Sequence, residues 1–304
     1  MEGETGGDPM TGIKWTRKSS RNVSRELTRE GHVVSATTVR RLLRDQGFSL
    51  RANVKRISGQ RHPHRDQQFQ AIQKQVKKYR RGGLPVVSVD TKKKELIGNF
   101  YNAGHTWRHN EVAVSDHDFL SDGVGKAVPY GIYDLLHNQG FVTVGQSSDT
   151  ASFGVDSLSE WYRRQGRRQY PEANRLLVLA DNGGCNGSVN RLWKYELQRF
   201  SDRFGIRVDV AHYPPGASKW NPIEHRLFSF ISKNWAGQPL RSYETVLNYL
   251  RTTRTQTGLT VRALLMTKKY VPGVKVTDEE MRGLRLRGSR VLPRWNYSLR
   301  PNEN

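Results

Sequence analysis

The chain has 304 residues, enough to bury a substantial core in one large domain with smaller lobes. Its formal net charge of +22 is too far from neutral for an ordinary metabolic enzyme and favours nucleic acid as the partner. The single cysteine, Cys185, excludes an internal disulfide and a cysteine-based zinc site and predicts a reducing, cytoplasmic location. A membrane surface is the weaker alternative for this charge; no run approaches the roughly 18 apolar residues that span a bilayer, and no membrane partner is predicted.

The first part of the chain predicts a basic helical segment that follows a disordered start at residues 1–12. One helix is expected to begin at Ser19 or Ser20 and end at Gly31, and a second to run from about residue 37 to 46. Two short helices with a brief turn between them are typical of a helix-turn-helix. The second helix carries basic side chains on its outer face, which we expect to contact DNA: Arg40, Arg41 and Arg44. The alternative is a basic helical hairpin that only packs.

A basic helix over residues 64–81 is predicted to complete this segment, which we assign to residues 13–81 as the DNA-binding part. The stretch FSLRANVKR before it is expected to form a wing or an extended arm. Gly82 and Gly83 end the helix and mark a domain boundary.

From Leu84 onward, short apolar runs alternate with helical patterns. This order predicts a mixed α/β sheet with helices on both faces, over residues 82–236. The predicted strands include LPVVSVD, ELIGNFYNAG, PYGIYDLL, GFVTVGQ, RLLVLA and residues 207–211, and helices are expected near 151–165 and 189–204. Residues 237–304 are predicted to be a helical extension.

Three carboxylates occupy the ends of these elements. Asp90 and Asp181 each end an apolar strand, and Glu224 begins a helix just after another strand. Strand ends and a neighbouring helix start can meet at one edge of a sheet, where three carboxylates would repel one another unless a divalent cation neutralised them. An all-oxygen site suits Mg²⁺ or Mn²⁺, and two such ions support phosphodiester chemistry.

Each of these residues also has a plain structural explanation. Asp90 could only end its strand, and Asp181 could close an Asx turn with Asn182. Glu224 could complete a capping box with Asn221, with Pro222 at the first helical position. The basic charge and the order of the strands together favour the catalytic interpretation.

Longer blocks make the pattern specific. VSVDTKKKELIGNF, ADNGGCNG and PPGASKWNPIEHRLFSFISKNW resemble the signature blocks of bacterial insertion-sequence DDE transposases, in the Rhodopirellula-type transposase family. HPHRDQQF, PYGIYDL, DTASFGVDSL and RLWKYELQ match in the same order, so the resemblance covers nearly the whole chain. The chain departs from the family pattern at His64, Cys185 and Pro222, and it lacks helical sequence that members usually carry upstream, which predicts an N-terminal truncation.

The resemblance implies an RNase H-like fold with a five-stranded mixed sheet, and DNA strand transfer as the reaction. It implies two Mg²⁺ ions, with Mn²⁺ as a substitute: Asp90 would bridge both, and Asp181 and Glu224 would each hold one. The expected partners are the terminal repeats of the element and target DNA, bound by a homodimer or a larger assembly. Basic residues that flank the carboxylates are expected either to grip phosphate or to form a solvated rim: Lys92, Lys93, Lys94, Lys219 and His225.

Two other functions fit parts of the sequence. An RNase H-like nuclease or resolvase would use the same carboxylates, although the helix-turn-helix argues against it. A DNA-binding regulator that has lost catalysis would keep the basic segment, although the presence of all three carboxylates argues against that.

Overall fold

The computed structural model describes residues 18–50 and 62–302, together with the backbone of two short strands at 5–7 and 14–16. The chain separates into two compact units, residues 1–58 and residues 59–304. Most of the predicted disordered start and most of the predicted wing lie outside the described residues, whereas Thr5–Gly7 of that start form a strand. No described helix has the length and apolar character needed to cross a membrane.

The first unit contains the two predicted helices, α1 (Ser20–Arg29) and α2 (Ala36–Asp45), after the antiparallel strands β1 (Thr5–Gly7) and β2 (Lys14–Thr16). Ser19 caps α1 and Ser35 caps α2, each by accepting a backbone N–H of the first turn. Val23 and Val39 are the buried contacts of this helix pair. Leu42, which the helical pattern places inside, is 43% exposed.

The second unit is built on a wide mixed sheet. Its central strands have the order β6-β5-β3-β7-β8, in which β3, β7 and β8 are parallel and β5 is antiparallel to both its neighbours. This is the predicted RNase H-like arrangement. The strands are β3 (Val86–Thr91), β4 (Glu95–Ile97), β5 (Gly125–Asp134), β6 (Gln139–Gly145), β7 (Arg175–Ala180), β8 (Arg207–His212), β9 (Thr260–Met266), β10 (Leu286–Gly288) and β11 (Asn296–Leu299).

Helices cover both faces of this sheet. They are α3 (Arg65–Arg81), α4 (Ala151–Trp161), α5 (Arg167–Gln169), α6 (Arg191–Phe204), α7 (Ser229–Asn234), α8 (Tyr243–Thr252) and α9 (Asp278–Arg282), with π-helical turns at Tyr162–Gly166 and Glu224–Phe228. The helices α4 and α6 pack on one face around Trp161 and Trp193. On the other face lie α3, α7 and α8, in two apolar clusters that include Leu179 and Leu227.

Two features of this unit differ from the sequence prediction. Residues 62–302 form a nine-stranded sheet rather than a five-stranded one, because β9, β10 and β11 of the C-terminal part widen it at both edges and β4 pairs with β5. The C-terminal part was expected to be helical; it contains the helices α8 and α9, and it also contains three strands that local pattern did not predict, because β9 and β11 pair with β6 and β8, which are distant in sequence. In addition, the predicted strand ELIGNFYNAG forms a strand only over Glu95–Ile97.

Helix α3 packs with the sheet, whereas the sequence prediction groups it with the N-terminal helices. Its residues Ile72 and Tyr79 lie in an apolar cluster with strand residues of β3, β7 and β8. Gln68 of α3 donates from Nε2 to the carbonyl of His212 at 2.8 Å and exchanges hydrogen bonds with Asn296. The functional assignment of the four predicted segments stays a prediction.

Candidate active site

Asp90 and Asp181 are neighbours on adjacent parallel strands. Val89 pairs with Ala180 in the register of β3 and β7, so the two aspartates that follow are level with each other across the sheet. Neighbouring strands lie about 4.8 Å apart, and residues at matched register point to the same face. The strand ends therefore bring these two carboxylates together, as their sequence positions predict.

The turn after Asp181 is closed by Asn182. The side-chain oxygen of Asn182 accepts from the Ser188 hydroxyl and from the Ser188 backbone N–H. The Asp181 carboxylate is left to accept from Asn221 Nδ2 at 3.2 Å. The Asx-turn explanation of Asp181 is therefore not what the structure has.

A short chain of hydrogen bonds joins the strand of Asp90 to the helix start of Glu224. The backbone N–H of Ile223 donates to Ser88 Oγ at 3.2 Å, and the Ser88 hydroxyl donates to Asn221 Oδ1. Asn221 then donates to Asp181. Every donor in this series of hydrogen bonds has one acceptor, so the orientation of the Asn221 amide is determined by its partners. Ser88 and Asn221 are both fully buried.

Asn221 is thus not the side-chain cap that the sequence suggests. Its side chain bonds to two strands instead, and the π-helical turn that begins at Glu224 has no side-chain cap. The backbone N–H of Glu224 donates to the Asn221 carbonyl at 3.1 Å, which keeps Glu224 in the first turn. The capping-box explanation of Glu224 does not hold, and π-helical turns are frequent at functional sites.

A glycine lets this helix approach the sheet next to Asp90. Gly131 of β5 is the register partner of Asp90. A Cβ at Gly131 would lie 2.6 Å from Phe228 Cε1 and 2.9 Å from Ile223 Cδ1, both in the helix that carries Glu224. Only glycine therefore leaves room for the two side chains to pack against the strand.

Burial raises the pKa values of all three carboxyl groups, and the charges of neighbouring carboxylates add to this for Asp90 and Asp181. Burial, followed by the charge of Asp181 and then that of Glu224, raises the pKa of Asp90 to about 8. Burial and the charge of Glu224 raise the pKa of Asp181 to about 6, against the opposing hydrogen bond from Asn221. Burial also raises the pKa of Glu224, while His225 and Lys92 oppose the shift. The site is therefore electrostatically strained whenever all three groups are ionised.

The donor chemistry fits a hard divalent cation, because the groups are carboxylates and their mutual repulsion is what such an ion relieves. Within the described part of the chain, no three His, Cys, Asp or Glu side chains lie close enough together to hold one ion as they stand. The backbone register brings the carboxylates to one edge, and their side chains would still have to converge on an ion.

The backbone carbonyl of Asp181 is hydrogen-bonded by a buried histidine. His212 Nδ1 lies 3.0 Å from the Asp181 carbonyl oxygen and must donate to it, and Nε2 lies 3.0 Å from the Tyr297 hydroxyl, which then donates. Burial lowers the pKa of His212 to about 4, so the ring is neutral. This support was not predicted from the sequence; the polar residue His212, at the end of the strand-like run RVDVA, was its one signal.

A fourth carboxylate lies close to Asp90. Asp149 accepts from the Thr91 hydroxyl at 3.0 Å, and its charge contributes to the raised pKa of Asp90. The side-chain cap of α4 is Thr150, so Asp149 is not used as the cap of that helix. Burial, followed by the charge of Asp149, raises the pKa of the Cys185 thiol, so this cysteine is protonated at neutral pH.

The basic residues predicted around the carboxylates have different surroundings. Lys92 is buried, forms an ion pair with Glu95 at 2.6 Å and lies 4.5 Å from the centre of the Trp235 ring. His225 is exposed and bonds through Nε2 to the Lys219 carbonyl oxygen. The remaining three lysines are exposed, as are the three arginines of α2 in the first unit: Lys93, Lys94, Lys219, Arg40, Arg41 and Arg44.

Comparison with known proteins finds one matching family and several solved structures of low sequence identity. The sequence profile of the family described as Rhodopirellula transposase DDE domain matches residues 1–301. No curated protein sequence matches the chain. Similar solved structures include a mariner Mos1 paired-end complex with Mg, at 16% identity and a TM-score of 0.47, covering 77% of this chain and 65% of that one.

Two further Mos1 structures are similar to the same extent. The Mos1 transposase paired-end complex with the left transposon end has 16% identity and a TM-score of 0.46, covering 77% of this chain and 65% of that chain. The Mos1 strand transfer complex has 15% identity and a TM-score of 0.45, covering 77% and 64%. This chain thus spans slightly less than two thirds of the length of the Mos1 chains.

Proposed function

Because the chain belongs to the Rhodopirellula transposase DDE-domain family, we propose that it is a DNA transposase that cuts the ends of a mobile element and joins them to target DNA. One observation carries the proposal. Asp90 and Asp181 share one register at the ends of parallel strands, and the Ser88–Asn221 hydrogen bonds tie the helix of Glu224 to the same edge. This is the arrangement that a metal-dependent phosphodiester reaction requires of its acidic residues.

In this proposal Asp90, Asp181 and Glu224 would hold two Mg²⁺ ions, for which Mn²⁺ could substitute. Two ions supply the charge that activates the attacking hydroxyl and stabilises the leaving oxygen of the phosphodiester. Water is the attacking group in strand cleavage, and a DNA 3′-hydroxyl is the attacking group in joining. No covalent bond between protein and DNA is needed.

The other residues of the site keep the carboxylates oriented. Asn221 places a donor on Asp181 and receives one from Ser88, so rotation of the Asp181 carboxylate breaks a buried hydrogen bond. His212 holds the backbone at Asp181. Lys92 forms an ion pair with Glu95, and we propose that it orients the edge of the sheet that carries the carboxylates. The candidates for phosphate contacts are the exposed Lys93, Lys94, Lys219 and His225.

The proposed partners are the terminal repeats and the target DNA. Because two ends must be handled together, we propose that at least two copies of the chain assemble on DNA. Exposed Arg40, Arg41 and Arg44 on α2 are proposed to contact the DNA backbone or bases. The proposed location is the bacterial cytoplasm, in association with the nucleoid.

The test is a strand-transfer assay with Mg²⁺, labelled element ends and target DNA. Wild type is expected to give joined products, and Asp181→Ala is expected to lose them by at least about 10³-fold because one ion loses its ligand. Asp116→Ala, at an exposed loop position, is the matched control and should react as wild type. Cleavage without joining would favour a nuclease or resolvase. DNA binding alone, with no product from wild type, would favour an inactive regulator and overturn the proposal.

A further inference from the structure

A basic groove lies at the edge of the sheet, away from the carboxylates. It has a volume of about 360 Å³ and is formed by the edge strands β10 and β11, the beginning of β8 and the C-terminal part of α3. Arg207 and Asp209 of β8 line it, whereas Asp181 lies level with the residue after His212, at the other end of that strand. Five residues of strand separate the two places, which is about 17 Å.

The acidic group in the groove is already neutralised. Asp209 is buried, accepts from the Tyr79 hydroxyl and forms an ion pair with Arg207 at 2.7 Å. Burial, followed by the charge of Asp209, raises the pKa of the Tyr79 hydroxyl, which keeps it protonated as a donor. The floor of the groove therefore carries no net charge from this pair.

The rim of the groove is basic and exposed. Four cationic side chains stand there, and none of them has an acidic partner within 4.0 Å among the described residues: Lys78, Arg287, Arg290 and Arg300. Some exposed arginines elsewhere in the same unit are paired, as Arg163 and Arg164 are with Glu160, and others, such as Arg226, have no acidic partner among the described residues; the groove differs in bringing four such cations together. Four clustered cations repel one another, and a polyanion would remove that repulsion.

The chemistry of the lining selects a class of ligand. Guanidinium groups bind phosphate oxygens in bidentate geometry, and three of the four rim cations are arginines. The aromatic residues of the groove, Tyr79 and Tyr297, are buried and use their hydroxyls within the protein, so they offer no exposed ring on which a base could stack. A ligand recognised by its phosphates and not by its bases is a nucleic-acid backbone.

We propose that this groove binds the phosphate backbone of duplex DNA, as a second DNA contact of the unit that carries Asp90 and Asp181. The proposal rests on the proposed function, because it takes the DNA that reacts at the carboxylates as its ligand. The 17 Å along β8 is the length of about five base pairs. A duplex that runs along the direction of β8 would place its flank in the groove about half a helical turn from the reacting phosphate.

The experiment measures binding without metal, so that catalysis plays no part. A 30-base-pair fluorescent duplex of arbitrary sequence is titrated with the full chain in EDTA at several salt concentrations. The triple variant Arg287→Ala, Arg290→Ala, Arg300→Ala should bind at least about 10-fold more weakly at 150 mM salt. The slope of log affinity against log salt should fall in magnitude by about 2–3, because each lost phosphate contact removes about 0.9.

A control variant with the same loss of charge distinguishes DNA binding at the groove from non-specific attraction by the positive charge of the whole protein. Arg163→Ala, Arg164→Ala, Arg199→Ala removes three exposed arginines that are paired with Glu160 and Glu196, and should weaken binding by less than about 3-fold. Arg287→Lys, Arg290→Lys, Arg300→Lys should keep most of the salt slope, because the charges remain. Circular dichroism and the melting temperature report whether each variant is folded.

The outcomes distinguish this proposal from the proposed function. A groove variant that binds as well as wild type, or no worse than the control variant, overturns the groove even if strand transfer is observed. Loss of binding in the groove variant supports it even if wild type forms no strand-transfer product. Asp116→Ala, at an exposed loop position, should bind the duplex as wild type does.

Discussion

At the scale of single residues, Asn221 has the role that is hardest to see from local pattern. Its position before Pro222 and Glu224 is that of a helix cap, yet its amide connects Ser88 on one strand to Asp181 on the next. A buried amide with both ends occupied restricts the rotamers of its partners, because each lost bond leaves an unsatisfied buried group. We therefore regard Asn221 as the residue that positions Asp181.

Replacement of Asn221 tests this role. Asn221→Ala is expected to lower the rate of strand transfer by about 10- to 100-fold, because the Asp181 carboxylate becomes free to rotate away from its productive orientation. Duplex binding in EDTA should change little. Asn248→Ala, at an exposed position of α8, is the control and should leave both quantities unchanged. A loss of duplex binding as large as the loss of rate would argue for a folding defect instead.

Asp90 makes the stability of the metal-free protein depend on pH. Its pKa in the folded protein is about 8, against an ordinary value of 3.8. The folded state therefore holds this proton more tightly than the unfolded chain does. The resulting stabilisation is complete below about pH 4 and is lost as the pH rises through about 8.

Asp90→Asn removes this dependence. In EDTA at pH 8 the variant is expected to melt at least about 5 °C higher than wild type, because the pKa difference of Asp90 corresponds to several kcal/mol and 1 kcal/mol corresponds to about 2–4 °C in a unit of this size. Near pH 4 the two melting temperatures should converge. Mg²⁺ should stabilise wild type more than the variant, because the ion replaces the proton as the partner of Asp90. Asp116→Asn is the matched control, and equal slopes of melting temperature against pH for wild type and Asp90→Asn would contradict the interpretation.

At the scale of elements, the site depends on how closely one helix approaches the sheet. The helix that begins before Glu224 packs Ile223 and Phe228 over Gly131, directly opposite Asp90. Its first turns are π-helical rather than α-helical, which changes the angular positions of the side chains that follow Glu224. The same helix buries Leu227 and Ile231 in the apolar cluster on that face, so its position is determined by packing as well as by Asn221.

Gly131→Ala is expected to push this helix away from β5. Its Cβ would lie 2.6 Å from Phe228, and overpacking of this kind costs about 1–3 kcal/mol of the free energy of unfolding, measured by urea denaturation. Strand transfer should fall as well, because Glu224 moves with the helix. The double variant Gly131→Ala, Phe228→Leu should recover part of the stability. Gly283→Ala at the end of α9 is the control; its Cβ would meet only ordinary contacts, so the free energy of unfolding should change little. An equally small change for Gly131→Ala would contradict the role of the close approach between helix and sheet.

At the scale of the whole molecule, the net charge of +22 is divided among separate surfaces. Arginines are exposed on α2 in the first unit, lysines near the carboxylates in the second, and a further basic cluster at the groove formed by α3 and β8, β10 and β11. Such a distribution suits a long polyanion better than a small anionic substrate, because each surface can take a different part of it. Two of these surfaces, at the carboxylates and at the groove, are connected by the same strand, β8, and by helix α3.

The sequence by itself determined the family, the fold class and the three candidate carboxylates. The family profile confirms the resemblance that the sequence blocks indicate, and the order of the central strands confirms the RNase H-like sheet. These were predictable because apolar strands ended by an aspartate are local patterns, readable over six or seven residues. The bounds of β3 and β7 lie within two residues of those predicted.

Only the tertiary structure decided what surrounds the carboxylates. Ser88 and Asn221 are 133 residues apart, and His212 and Tyr297 are 85 apart, so neither pair leaves a periodic signal. The widening of the sheet by β9 and β11 has the same cause, because their partners β6 and β8 are remote in the chain. The basic groove combines residues of α3 with residues more than 200 positions later, and its charge was visible in the sequence only as part of the total. Local pattern specifies elements, whereas the pairing of distant elements depends on packing that one sequence does not display.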